Sequence, residues 1–231
     1  MADRKSTSVS LLAGKSAGQY RDSRLWSMWA YLLHLKGVRD IAIVDANEVC
    51  SGVTANTTAK ITSQHGLIYA KLMQGLGEDG ATQYASANQN AIKLYRQIIS
   101  SEQINCDFTP CNAWVYTTWE EKLQAIQDEV QAAQKLGISA TYENQTELPL
   151  PVKGAIKFPD QAHFHPLKFA FRICDILSKA GCQIYTNTTA TAAEEGIVRT
   201  QKGNIRAANI ISCSHYPFID KRSLLFTKVY Q

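Results

Sequence analysis

The run from Leu25 to Asp45 restricts the fold more than any other part of the chain. LWSMWAYLLHLK (25–36) is apolar on most faces, Gly37 stops it, and IAIV (41–44) follows directly before an acid, Asp45. A helix apolar nearly all round is one buried against other structure, and a glycine just past its end takes the left-handed conformation that closes helices. A strand that is continuously apolar, without alternation, suits a parallel sheet covered on both faces. Helix, glycine, strand and terminal acid make up the second half of a dinucleotide-binding βαβ unit, which keeps a carboxylate there for a ribose hydroxyl. On these residues alone, that role for Asp45 and a solvated strand-end carboxylate fit equally well.

The next stretch, SGVTANTTAKITSQHGLIY (51–69), is dominated by small and hydroxylated residues around one cation, Lys60. Small residues let a backbone approach a ligand closely, and hydroxyls supply hydrogen bonds without bulk. A nucleotide lying along a strand end needs both. Further on, residues 77–100 read as a helix, 113–117 as an aromatic and β-branched strand, and 119–136 as an amphipathic helix closed by Gly137. A short strand at 155–158 lies among Pro149, Pro151 and Pro159. His165-Pro166 opens a helix over 167–180, since proline suits a first helical position. A strand at 183–187 and a meander over 197–213 follow, ending in an apolar strand at 209–214.

The fold class expected from this order is α/β: a Rossmann-like nucleotide-binding domain with an inserted mixed-sheet domain; the resemblance set out below makes it an FAD/NAD(P)-binding domain with a substrate domain, incomplete at the C-terminus. Residues 25–102 and 165–231 would form the first, 103–164 the second, and residues 1–24 a poorly ordered N-terminus. Gly14-Lys15-Ser16 resembles the end of a phosphate loop, but Val9 stands where the upstream glycine of that motif belongs.

A formal charge of +4 with scattered Lys and Arg gives no footprint for nucleic acid. No apolar run reaches the ~18 residues of a membrane span. Six cysteines without a CxxC pair or a signal peptide point to reduced thiols in the cytoplasm. Cys106 and Cys111 are expected to be buried thiols, and Trp114 and Tyr116 core of the inserted sheet. His163 and His165 could share a strand face, but no third ligand has suitable spacing, so no metal is expected.

With those residues laid out, the chain resembles the FAD-dependent oxidoreductases of the D-amino-acid oxidase and glycine oxidase superfamily, in the bacterial branch that often carries a C-terminal Rieske domain. The matching segments are AYLLHLKG (30–37), IAIVDANEVCSGVTANTTAKITSQHGLIY (41–69), LPVKGAIKFPDQAHFHPLKF (150–169) and IRAANIISCSHYPF (205–218). The resemblance implies FAD as cofactor and an amine or amino acid as substrate, oxidised by hydride transfer to the flavin N5. It also implies oxygen or a redox protein as electron acceptor. By the same resemblance Asp45 would accept from the adenosine ribose, with Ala46 and Asn47 beside the adenine. Ser51, Gly52 and Thr54 would face the pyrophosphate, and Thr57, Thr58, Ala59 and Lys60 the ribityl chain and ring. Ala190 stands where the family usually has a valine whose backbone meets the adenine, and Ser212 is one of the small residues ending the late strand. Lys60, or His65 through Gln64, would hold charge growing at the flavin N1–C2 carbonyl. The alternatives are a surface ion pair for Lys60 and a loop hydrogen bond for His65.

The family's glycine-rich turn should fall at residues 21–26, where RDSRLW stands instead, and Gly14 and Gly18 lie earlier with no strand expected before them. The family's closing glycine-rich segment would come after Gln231. The alternative function is therefore a non-catalytic remnant of such an enzyme that binds no flavin.

Overall fold

The computed structural model describes residues 9–13, 23–194 and 196–213 of the chain. In chain order the elements are β1 (Val9–Ala13), α1 (Ser23–Leu35), β2 (Ile41–Asp45), β3 (Lys60–Ile61), α2 (Tyr69–Ser101), β4 (Thr109–Thr117), α3 (Leu123–Lys135) and β5 (Thr141–Glu143). They continue with β6 (Gly154–His163), α4 (Pro166–Lys179), β7 (Gln183–Tyr185), β8 (Ala190–Glu194), β9 (Ile197–Thr200), β10 (Gly203–Arg206) and β11 (Asn209–Ser212). Two compact units result: one comprises the chain up to Thr58 and from Pro166 onward, the other Ala59–His165.

The first unit holds a four-stranded sheet in the order β11-β1-β2-β7, parallel throughout. Every residue of β2 is buried, as a continuously apolar strand requires. On one side α1, which also contacts α4, buries Trp26, Ala30 and Tyr31. On the other, the antiparallel meander β10-β9-β8 packs Ala190 and Val198 against Val44. Fully burying a large side chain such as Trp26 stabilises by roughly 2–3 kcal/mol.

The N-terminal segment departs from the expectation. Residues 1–24 were expected to be poorly ordered, yet Val9–Ala13 is a strand inside the parallel sheet, paired with β2 on one side and β11 on the other. Five residues with no alternation give no local signal for a strand. Its backbone hydrogen bonds to two neighbours supply what the local sequence lacks. The helix already runs from Ser23, so no tight turn occupies 23–26. The connection between first strand and first helix is residues 14–22, which lie outside the described residues together with Gly14, Lys15, Ser16 and Gly18.

In the second unit, β6 pairs antiparallel with β3, β4 and β5. Helices α2 and α3 cover one face of that sheet through a core of Tyr69, Ala81, Ala85, Ile126, Val130, Ile156 and Phe158. Residues 59–102 therefore belong with the second unit, whereas the sequence had placed them in the first: β3 pairs with β6, and α2 packs on α3. The helix expected from Gly77 begins eight residues earlier, and Gly77 (φ 72°, ψ 175°) is a break inside it. A proline-containing bulge interrupts β6, where Cys111 faces Gln161 but Ala113 faces Phe158. Two residues, Pro159 and Asp160, thus oppose Asn112 alone. The extra residue reverses the alternation, so Phe158 and Gln161 point to the same helix-covered face. Cys106 is buried, but Cys111 is exposed. Tyr116 is 40% exposed, because it lies on the sheet face opposite the helices.

Candidate functional site

Parallel pairing brings the carboxyl ends of the first sheet's strands to one edge. Register fixes this: Leu12 of β1 lies beside both Val44 and Ser212, and Ala13 lies beside Asp45. Asp45 ends β2 and Ser212 ends β11, so the two predicted residues flank the end of the central strand. In open parallel sheets, this edge is where ligands bind.

Asp45 is only 2% exposed. Its Oδ2 accepts from the Trp26 indole Nε1 at 3.0 Å, and its Oδ1 from the Asn47 backbone N–H at 3.0 Å. These contacts put the carboxylate on the α1 side of the sheet, which settles the sequence alternative against a solvated strand-end acid. The loops after β2 and β7 are joined across the same edge: the Thr188 N–H donates to the Asp45 carbonyl at 2.8 Å and the Asn187 N–H to the Asn47 carbonyl at 3.1 Å. The Asn187 side-chain amide donates to Glu48 Oε1, and Ala46 sits half-buried between these anchors.

Beyond β2, Cys50 takes a positive φ of 64° and turns the chain into the hydroxyl-rich stretch. Ser51 is exposed and donates through Oγ to the Glu48 carbonyl at 2.8 Å. The Gly52 carbonyl accepts from the Ala55 N–H at 3.1 Å, closing a short 3₁₀ turn over Val53–Asn56. Thr54 is buried, Thr57 half-buried and Thr58 exposed. Ala190 heads β8 with its methyl fully buried against Val44 and Val198.

Ala59, Lys60 and His65 belong to the second unit. Ala59 has a positive φ of 62°, and its carbonyl accepts from the Phe164 N–H at 3.2 Å. Lys60 is exposed and lies opposite His163 on β6. Among the described residues no carboxylate pairs with Lys60, so the surface ion pair named as its alternative is absent there. His65 is exposed, with Nε2 3.4 Å from Asn88 Oδ1.

A buried polar network that the sequence did not suggest fixes the loop carrying His65. Gln161, 1% exposed, accepts through Oε1 from Thr62 Oγ1 at 2.9 Å and from the Ser63 N–H at 2.8 Å. Its own amide donates to the Pro159 carbonyl at 2.7 Å. Gln89 donates to Ser63 Oγ at 3.0 Å, and the Tyr69 hydroxyl to the Ser63 carbonyl at 2.5 Å. Burial pushes the Tyr69 phenol up to about 12. Glu129 of α3 closes the network, its carboxylate accepting from the N–H groups of Ile68, Tyr69 and Ala70 at 2.8–2.9 Å. Glu129 left a readable signal, an acid at the centre of the stripe Ile126, Val130, Ala133. Burial likewise raises the Cys174, Cys182 and Cys213 thiols to about 12, far from thiolate chemistry at neutral pH. Among the described residues no group of three acids, histidines or cysteines could hold a metal ion.

The family model described as FAD dependent oxidoreductase matches residues 27–221. The chain belongs to this family. It is 36% identical over 205 residues to a protein of Bacillus subtilis (strain 168) named as a Rieske 2Fe-2S iron-sulfur protein, YhfW, covering 87% of this chain and 40% of that one. Among solved structures it resembles L-proline dehydrogenase from P. horikoshii (TM-score 0.68, 14% identity, 90% of this chain, 52% of that one). Glycine oxidase from Bacillus cereus ATCC 14579 is similar too (TM-score 0.65, 14% identity, 90% and 55%). The chain thus spans 40% of the curated relative and about half of each solved neighbour. The family's cofactor is FAD, and the first unit places a buried, hydrogen-bonded carboxylate at the carboxyl edge of a parallel sheet, followed by a hydroxyl-rich stretch. No helix among the described residues is long and apolar enough to cross a membrane.

Proposed function

We propose that this chain forms the nucleotide-binding part of an FAD-dependent oxidase or dehydrogenase that acts on an amine or amino acid in the cytoplasm. The observation carrying this reading is Asp45, buried at the end of β2 with an N–H donor on each oxygen. Asp45 would hold the adenosine ribose, with Ala46 and Asn47 beside it and Ala190 contributing backbone. Ser51, Gly52 and Thr54 would meet the phosphates, and Ser212 would line the same edge. Thr57, Thr58, Ala59 and Lys60 would follow the rest of the cofactor.

When bound, FAD would supply a hydride acceptor for the carbon next to the substrate nitrogen and a route for electrons to oxygen or a redox protein. Among the described residues Lys60 has no carboxylate partner, which suits its ammonium to stabilise negative charge on the cofactor. His65 offers a hydrogen bond from a loop held by buried partners. Six free thiols agree with a reducing compartment.

The test is a visible absorption spectrum of the purified full chain after incubation with FAD and removal of the excess. Two flavin bands, with FAD released on denaturation, support the proposal, and Asp45→Ala should weaken retention about tenfold or more, the loss of one charge-assisted hydrogen-bonding pair. A folded chain that retains no flavin overturns it in favour of a non-catalytic remnant.

A further inference from the structure

We propose that the second unit contains a separate binding site for a small organic or inorganic anion, a carboxylate or phosphate, between α2, the loop after α3 and the bulge in β6. The cavity there has a volume of about 440 Å³, within the range of small-ligand pockets. Lys93 and Arg96 line it from α2, three residues apart and so on one helix face. Among the described residues no carboxylate is within ion-pairing distance of either cation. None of these residues belongs to the nucleotide edge of the first unit.

Arg96 is fixed but not fully used. Its Nη2 donates to the Asp160 carbonyl at 2.5 Å and to the Gln161 carbonyl at 3.3 Å, and its guanidinium carbon lies 5.8 Å from the centre of the Phe108 ring. Among the described residues its buried Nε has no acceptor. Buried donors in folded proteins almost always have partners, so this guanidinium keeps hydrogen-bonding capacity that its backbone contacts do not use. The guanidinium is already oriented by backbone and ring, so little ordering remains when a ligand arrives.

Asp160 sets the selectivity. It lies in the bulge with φ of 59°, a left-handed conformation that places an acid in the cavity wall. Two cations against one carboxylate leave the cavity attractive to an anion. The Asp160 carboxylate and the Ser139 hydroxyl then favour an anion that also carries a hydroxyl or ammonium group over a bare one.

The test is an NMR titration of the full chain with inorganic phosphate, acetate and glycolate, following the amides of residues 89–96, 138–139 and 160. Saturable shifts confined to those residues are expected, with phosphate and the carboxylates separating the two ligand chemistries and glycolate binding more tightly than acetate. Lys93→Gln removes an exposed charge and should weaken binding about fivefold, whereas Asp160→Asn removes the repelling charge and should tighten acetate and phosphate by a similar factor. Asparagine tolerates the left-handed conformation, so the second variant keeps the bulge. Opposite signs from the two variants support charge recognition in the cavity. No saturable shift, or binding unchanged in both variants, overturns the site whatever the flavin spectrum shows.

Discussion

Glu129 sits at the centre of the apolar stripe of α3, and its carboxylate takes up the backbone N–H groups of Ile68, Tyr69 and Ala70. The first turn of a helix cannot satisfy those donors itself, and here the cap comes from a residue sixty positions away. Replacing Glu129 with Gln puts an amide donor against one of the three N–H groups and removes the charge. The expected cost is about 2 kcal/mol, the scale of a charged hydrogen bond or a strong cap, read as a lower urea midpoint with unchanged m-value. Cysteine chemistry gives a second residue-scale expectation: iodoacetamide at pH 8 should modify Cys111 first, while the five buried thiols react only on unfolding. Equal labelling of several thiols in the native protein would contradict the burial. Glu129 was open to notice in the sequence as an acid in an apolar series. Gln161 was not, because the bulge at Pro159-Asp160 reverses the alternation by which a strand's inward residues are read.

At the scale of elements, α2 shows how a local signal can be right about a residue and wrong about its meaning. The sequence pattern starts a helix at Gly77, whereas Gly77 is a break between two helical stretches, with a φ/ψ pair (72°, 175°) that L residues avoid. Beyond its chain neighbours and the adjacent helix backbone, nothing lies within 4 Å of where its Cβ would stand, so the cost of Gly77→Ala is backbone strain. That strain is roughly 1–3 kcal/mol, measurable by denaturant unfolding; an alanine variant as stable as the parent would show that the break moves freely. The start of α2 also carries a pH dependence. The Tyr69 phenol rises from its ordinary 10.0 to about 12 in the fold, so the native state holds its proton more tightly than the unfolded chain. This contribution is complete below about pH 10 and is lost as pH rises toward 12. Tyr69→Phe should flatten that part of the stability profile while lowering stability at neutral pH, through loss of the bond to the Ser63 carbonyl.

For the whole molecule, chain order decides what can be read and what can be cut. The parallel sheet was legible from β2 because burial on both faces leaves an unbroken apolar run; within the meander expected over 197–213 the β9-β10 hairpin is present, but β8 lies before that stretch and β11 joins the parallel sheet instead. Strand β1 was hidden, since its place between β2 and β11 comes from partners far along the chain. The boundary of the second unit was misjudged for a related reason: β3 is two residues long, too short for any pattern, yet its pairing with β6 carries 59–102 away from the first unit. That unit is one continuous segment, Ala59–His165, with its own sheet, two covering helices and a core around Tyr69 and Phe158. The first unit is discontinuous, and its sheet needs strands from both sides of the second. The excised segment 59–165 should therefore fold alone, with a cooperative urea transition and near-ultraviolet circular dichroism from Tyr69 and Trp114. A segment that unfolds gradually and lacks that signal would mean that its core depends on residues outside Ala59–His165.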